Sequence, residues 1–439
     1  MMKKRTFHIL YIFLVLLLPF ICRAQQPLNL KQAIDIALKN SLSIEIGKNY
    51  VQIAGINNNY GIAGGLPFVS GSVSDVEQTV SLDQKYANPA NNKTSSNVGS
   101  NNFAASITGS VLITNGERVV TAKKRFGRIE MQTKDQLNSR IQSIVVNVML
   151  RYYDIIRQES YAKTLQKAID VSKQKLDIVK TQQSVGMANN ADLFQAEVDL
   201  NTQTQLLQAQ QLVIDQDKTD LLYQLTLNPD STLNIADTAI NIDGSIKLED
   251  VLNSIPSHPD ITAAQDQVLI NQYIEKEITA QRYPSLSANT GYNYTRNQSA
   301  AGFSLLNLQQ GPFVGISLGI PIFNGGIYKR QQQIAGMNIT NAELQKDTLI
   351  NSYTANTIKN WQAYTSNIQQ LQQARQNYEL SQKLVDLVLQ RFQLRQATIV
   401  DVITAEQSFE NAANLLINIS YAAKAAEIQL RRYENKVRY

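Results

Sequence analysis

The one pattern here that matches a nucleophile is Gly315-Ile-Ser-Leu-Gly319, the spacing of a G-x-S-x-G elbow. An elbow sets its serine on a sharp strand-to-helix turn, with a histidine and an acid in reach. Ser317 instead falls inside an unbroken alternation: Val314, Ile316, Leu318 and Ile320 against Gly315, Ser317 and Gly319, the period of a strand that continues. Of the two histidines, only His258 lies beyond the N-terminal leader, in a Ser-His-Pro segment that interrupts a helix. Cys22 is the only cysteine, so thiol nucleophiles, disulfides and Cys-ligated metals lack their parts. There is no Walker loop and no H-E-x-x-H pair, and Met131, Met149, Met187 and Met337 are too dispersed for a copper tract. These residues point away from enzyme chemistry and from any cofactor or metal. Two aspartates remain, Asp192 and Asp401, each just after a turn at the start of a helix. There the helix dipole favours a carboxylate.

Lys3, Lys4 and Arg5 precede an apolar run, Ile9 to Ile21, and Cys22-Arg23-Ala24 offers small residues at the −3 and −1 positions of a processing site. Residues 1–24 therefore read as a signal peptide. Acylation of Cys22 is the alternative, disfavoured by the bulky Phe20 and Ile21 before it. Removing the leader takes away four of the 41 basic residues and no acid, which leaves a net charge of +1 against the 36 acidic residues. The sequence pI of about 9.0 thus belongs largely to the leader, and no nucleic-acid partner is expected. Lys123-Lys124-Arg125 with Arg128 reads as a solvated face, with contact to anionic inner-leaflet lipid as the alternative. Beyond the leader no run of about 18 apolar residues occurs. An exported chain of this kind is soluble, lipid-anchored, or crosses a membrane as β-strands.

The elements that place the aspartates occur twice. Leu112-Ile-Thr-Asn-Gly116 recurs as Pro321-Ile-Phe-Asn-Gly325, and Ala188–Glu197 (ANNADLFQAE) recurs as Ala397–Glu406 (ATIVDVITAE), both 209 residues on. Two landmarks sharing one offset imply two structural repeats, 25–227 and 246–439, joined by a connecting, equatorial segment at 228–245. Each repeat reads as a helix (28–62, 246–281), two β-strands (66–78 and 102–114; 283–296 and 312–323) and a long helical hairpin. The loop at 83–101 reads as an exposed hairpin tip. The long helices, 117–184 and 327–394, contain no proline. Tyr364, Leu371, Tyr378, Val385 and Phe392 recur every seven residues, and Ile155, Ala162, Ile169, Leu176 and Gln183 occupy the same row one repeat earlier. A helix of that length rises roughly 100 Å. The return helices (190–227, 400–436) and opening helices together match it, as in a hollow helical cylinder.

The strands alternate like those of a membrane barrel. Val314, Ile316, Leu318, Ile320 and Ile322 share one face, and Phe103, Ala105, Ile107, Val111 and Ile113 share the matching one, opposite small and hydroxyl residues. Tyr292 and Tyr294 suit an aromatic girdle. Half-buried hairpins of a periplasmic domain would alternate equally well. Four strands cannot close a barrel alone, and open edges are not tolerated in lipid, so a lipid-facing sheet requires several chains.

The doubled Asn-Gly signatures and the doubled turn segments VGMANNADLFQAE and LRQATIVDVITAE resemble the TolC-like outer-membrane factor (outer membrane efflux protein) family. The resemblance covers nearly the whole chain beyond the leader. It implies an α+β membrane protein: a long antiparallel α-helical barrel continuous with a transmembrane β-barrel shared by three protomers, four strands each. It also implies a homotrimer in the outer membrane, in contact with outer-membrane lipid, with its helical tunnel in the periplasm. That channel would serve a tripartite efflux or type I secretion system, with a periplasmic adaptor protein and an inner-membrane exporter as partners. In the family, acidic and aromatic residues near the turns constrict the periplasmic entrance, and Asp192, Asp401 and Phe392 match those positions. Arg395 stands where the first repeat has Gly186, Ala397 stands where a gate arginine can occur, and Thr404 replaces a second entrance aspartate. The rival reading is a periplasmic coiled-coil adaptor or scaffold protein of an export complex. Adaptors usually build one helical hairpin, and this chain carries two.

Overall fold

The computed structural model describes residues 27–301 and 304–436. The signal peptide over residues 1–24, with Cys22, lies outside the described residues. In chain order the elements are α1 (Leu30–Asn40), α2 (Leu42–Asn57), β1 (Phe68–Gln84), β2 (Lys93–Thr114), α3 (Arg118–Ser184), α4 (Asn190–Gln224), α5 (Leu248–Ser254), α6 (Pro259–Ala280), β3 (Ser285–Ser299), β4 (Leu306–Gly319), α7 (Ile327–Gln393) and α8 (Ile399–Tyr433). Two compact units form. Among the described residues, one gathers 27–42, 141–253 and 355–436, the other 43–140, 254–301 and 304–354. Each unit draws on both halves of the sequence.

The long helices α3 and α7 each have 67 residues, and the return helices α4 and α8 each have 35. Arg118 and Ile327, and Asn190 and Ile399, begin these pairs 209 residues apart. Left-handed turn residues keep the same spacing: Gly116 and Gly325, Gly186 and Arg395, Thr226 and Asn435.

The opening helices are broken, against the single-helix reading. Asn29 caps α1 by accepting from Gln32 N at 2.8 Å, while Gln32 Oε1 accepts from Asn29 N at 3.1 Å. The helix stops at Ser41, whose backbone is extended (ψ 113°). Asparagine and serine offer competing side-chain bonds to the backbone, which favours caps over helix interiors. The next helix ends at Asn57 rather than 62, because Asn59 folds the chain into a turn, accepting from Ile62 N at 3.0 Å. In the second half α5 gives way to a short 3₁₀ turn, and α6 restarts at Pro259 with His258 as its cap (Asp260 N to His258 Nδ1, 3.2 Å).

The heptad row is where the core of the first unit lies. Tyr364, Val385 and Phe392 are buried, as are Ile155, Ile169 and Leu176, while Leu371 and Tyr378 are half-buried. Tyr364 packs with Ile246, Val251, Ala426 and Leu430. The connecting segment is pinned to the N-terminal strandlet: Leu28 N donates to Asn234 O at 2.8 Å and Ala236 N to Leu28 O at 2.9 Å. The Tyr152 hydroxyl lies 2.6 Å from Asp237 Oδ2, and burial, followed by that carboxylate, pushes its phenol up. In the second unit the start of α3 is tied to its neighbours by polar bonds. Arg125 pairs with Glu277 at 2.6 Å, Arg128 with Asp266 at 3.2 Å, and Lys123 Nζ donates to Asn58 Oδ1 at 2.6 Å. Much of the basic run is therefore internally satisfied.

The sheet is four-stranded and antiparallel in the order β1-β2-β3-β4, leaving β1 and β4 as edges. The strand β2 reaches back to Lys93, into the segment read as loop, because polar cross-strand pairs support it. Asn101 Nδ2 donates to Asp75 (2.6 Å) and Glu77 (2.8 Å), and Thr94 Oγ1 donates to Asp83 (3.1 Å). The hairpin tip is left with the short turn Pro89–Asn91. The last strand is shifted upstream of the reading at 312–323. It runs through Pro312, which an edge strand tolerates, and ends at Gly319 before Pro321, which has no N–H for the ladder. Ile320 and Ile322 thus follow the strand rather than belong to it.

Candidate functional site

The two helical turns have one geometry built from different residues. After α3, Gly186 adopts φ +74°, with Gly186 N bonded to Gln183 O (2.9 Å) and Met187 N to Gln182 O (2.7 Å). After α7, Arg395 adopts φ +62°, with Arg395 N bonded to Phe392 O (3.0 Å) and Gln396 N to Arg391 O (2.7 Å). This is the two-bond C-terminal cap that glycine normally completes. A residue with a Cβ pays about 1–2 kcal/mol for that backbone conformation. Arg395 reaches across, its Nη2 donating to Met187 O at 3.4 Å, so the two turns touch.

Asp192 and Asp401 are both the third residue of their return helices. Asn189 caps the first by accepting from Asp192 N (2.9 Å) and Thr398 the second by accepting from Asp401 N (3.2 Å). Their carboxylates differ. Asp401 Oδ2 accepts from Thr398 N (2.7 Å) and Thr398 Oγ1 (2.8 Å), a closed capping box that holds its carboxyl below the usual range. The Asp192 carboxylate has no hydrogen bond or ion pair among the described residues. Phe392 does not stand beside them at the surface. Its ring is buried with Leu176, Val179, Ala196 and Val402, because it occupies the heptad row that packs the hairpins together.

Sequence reasoning missed the strongest electrostatic feature near these turns. Lys175 is fully buried, with Nζ 2.8 Å from Asp199 Oδ2 and 2.7 Å from Glu406 Oε2, so it joins α3 to α4 and to α8. Ser172 Oγ donates to Glu406 Oε1 (3.2 Å), Gln195 Nε2 to Asp199 Oδ1 (2.7 Å), and Gln203 Nε2 to Glu410 Oε1 (2.6 Å). Burial pushes both the Glu406 and Glu410 carboxyls up, Lys175 only partly opposing it. One repeat later, Lys175 is answered by Leu384, which is exposed, so repeat logic hides it. The available signal was its place in the row Ala168, Ser172, Lys175, Val179, where helical spacing puts a charge among buried positions.

The sheet has two chemically distinct faces. The register aligns Ala105 with Val73 and Tyr294, Ile107 with Tyr292, Thr290 with Val314, Ala288 with both Val111 and Ile316, and Leu286 with Leu318. Phe103 lies on the same face, edge-on to Tyr294 at 6.0 Å, whereas Ile113 falls at a register shift. Val314 is 85% exposed and Ile316 72%. The opposite face is polar: Ser72 and Ser106 hydroxyls lie 2.9 Å apart, and Asn289 Nδ2 donates to Ser317 Oγ at 3.0 Å. Ser317 is thus a mid-strand polar residue. Among the described residues, no group of three His, Cys, Asp or Glu side chains is placed to hold a metal ion. No described helix is long and apolar enough to cross a membrane.

Two 67-residue helices, two return helices and an amphiphilic four-stranded sheet make up the TolC-like class of outer-membrane channel folds. Residues 253–435 match the family model for outer membrane efflux protein. The chain is similar to the outer membrane protein VceC from Vibrio cholerae, at 16% identity over 92% of this chain and 95% of that one, with a TM-score of 0.77. It is similar to the Campylobacter jejuni CmeC outer membrane channel, at 16% identity over 93% and 87%, TM-score 0.74. It is also similar to the Neisseria gonorrhoeae MtrE outer membrane channel, at 15% identity over 92% and 88%, TM-score 0.70. No curated protein matches the chain by sequence.

Proposed function

We propose that three copies of this chain form an outer-membrane export channel, a passive conduit from periplasm to exterior driven by an inner-membrane transporter through a periplasmic adaptor. The observation that carries this reading is the sheet. It has an exposed aliphatic face, a polar opposite face and two unpaired edges. In lipid such edges must be closed, and three four-stranded sheets would give a twelve-stranded barrel, an even number within the range of membrane barrels. Val314, Ile316, Leu318, Phe103, Ala105, Ile107 and Val111 would then face lipid, with Ile113, Ile320 and Ile322 at the rim. The helices would continue as a periplasmic tunnel built from two repeats, as the shared 209-residue spacing of helix starts and turn residues supports. The family match to outer membrane efflux protein disfavours the adaptor or scaffold alternative.

The hairpin turns would form the periplasmic entrance, where Asp192 and Asp401 contribute six carboxylates per trimer. Fixed negative charge at a constriction attracts cations. Asp192, unengaged, would carry most of that effect, while Asp401 is held by its cap and Arg395 sets the turn. Phe392 would act from the core, by fixing how the hairpins pack. Native mass spectrometry in detergent should give three copies, and bilayer recordings should show cation selectivity that falls in the Asp192→Asn variant more than in Asp401→Asn. A stable monomer without conductance contradicts the channel, and unchanged selectivity contradicts the entrance assignment.

A further inference from the structure

Where the sheet meets the helices, the second unit has two adjoining cavities of about 610 and 550 Å³ that share Pro321 and Tyr328. All four strand ends that lead into helices lie at this end of the sheet, opposite the turn between β1 and β2 and the β3 and β4 ends at Ser299 and Leu306. The larger cavity is lined by Arg282, Lys329 and Asn324, the smaller by Arg118. None of these three cations makes an ion pair among the described residues, in contrast to Arg125 and Arg128 a few turns along α3. Asn324 Nδ2 is a buried donor without an acceptor. Glu117 is the acid adjoining Arg118 in sequence, and Glu275 and Glu277 are engaged with Gln332 and Arg125. Beside the cations, Ile322 (93% exposed) and Phe323 (87%) stand out from the chain. Unpaired cations and an orphan donor next to exposed apolar side chains, at the end of an apolar sheet face, match an amphiphile with an anionic head.

We propose that this junction binds an anionic glycerophospholipid of the inner leaflet. Its phosphodiester would be held by Arg118, Arg282, Lys329 and Asn324 Nδ2, and its acyl chains would lie against Ile320, Ile322 and Phe323. The inference rests on the sheet being the membrane-spanning part. A surface Lys or Arg contributes about 1 kcal/mol to anionic-lipid attraction, so each cation removed weakens binding about fivefold, and three weaken it roughly a hundredfold.

The test is native mass spectrometry of the full chain in detergent, with phosphatidylglycerol or phosphatidylcholine added at equal concentration. Phosphatidylglycerol should remain bound in preference, with adducts counted per chain whether it flies as a monomer or a trimer. The combined Arg118→Gln, Arg282→Gln and Lys329→Gln variant should lose that preference while keeping its oligomeric mass. Lys124→Gln, a solvated cation on the same helix, should keep it. Equal retention of the two lipids by the parent chain overturns the proposal, as does undiminished phosphatidylglycerol binding in the triple variant. The oligomeric mass in the same spectrum reports on the channel reading separately.

Discussion

Replacing Lys175 by methionine keeps much of the side chain's bulk and removes its charge. Asp199 and Glu406 are then left without their cation, and the Glu406 side chain is only 8% exposed. Removing one partner of a buried pair costs about 3–5 kcal/mol, because the remaining charge stays desolvated. The loss should be local, since the triad links α3, α4 and α8 near their turns. At 1.4 kcal/mol per factor of ten, local opening should become roughly 140- to 3,700-fold more frequent. Amide hydrogen exchange across residues 165–184 and 399–410 reads that directly. Combining Lys175→Met with Glu406→Gln removes the cation and the more buried of its two carboxylates, leaving Asp199 18% exposed and bonded to Gln195, and should recover most of the loss, because a buried ion pair is seldom better than a neutral replacement. Exchange in the single variant indistinguishable from the parent would refute the idea that this pair ties the hairpins. So would a double variant no better than the single one.

Gly116→Ala should be more damaging than Gly325→Ala, although both sit near φ +68°. A Cβ at Gly116 meets Tyr283 Cβ at 2.8 Å and Ala280 O at 2.9 Å, while one at Gly325 meets nothing within 4 Å. Overpacking should add about 1–3 kcal/mol to the shared conformational cost, read by thermal unfolding of the purified assembly, and equal losses would contradict the geometry. Arg395→Gly relieves about 1–2 kcal/mol of left-handed strain and gives back about 0.5–1 in chain entropy, so melting should shift slightly upward, and a downward shift would count against the strain. Asp243 is held at about 2 against its ordinary 3.8, chiefly by hydrogen bonds from Ser245, then by Arg431. A depressed acid stabilises the fold above its unfolded pKa, and that contribution disappears as pH falls through the folded one. Asp243→Asn should therefore flatten the acid limb of stability between those values, and an unchanged limb would assign it elsewhere.

The long periodic features were legible because they are redundant. A heptad row repeated at 209 residues marks Tyr364, Val385 and Ile155 as core before any coordinates are known. Strand alternation likewise placed Val314 and Ile107 on one face, since a period of two leaves no other choice within a strand. Features settled by a single residue or by distant partners were not legible. The break at Ser41 rests on one cap, and the extension of β2 to Lys93 rests on cross-strand bonds to Asp75, Glu77 and Asp83. Lys175 reads as a solvated lysine until two carboxylates from other helices close on it. The Asp192 and Asp401 pair looked equivalent by spacing, and their caps separate them: Thr398 donates to the Asp401 carboxylate through its backbone N and Oγ1, whereas Asn189 accepts from Asp192 N.

The central claim is that one face of the sheet meets lipid and the other meets water. Cys22 is the only cysteine in the sequence, so single cysteines can be placed at each position from Val314 to Gly319 and labelled with a fluorophore in reconstituted protein. The account predicts quenching by a lipid-phase quencher at 314, 316 and 318, and by a water-soluble quencher at 315, 317 and 319. Water-phase quenching at all six positions, with none from the lipid phase, would contradict it and return the chain to the periplasmic scaffold reading.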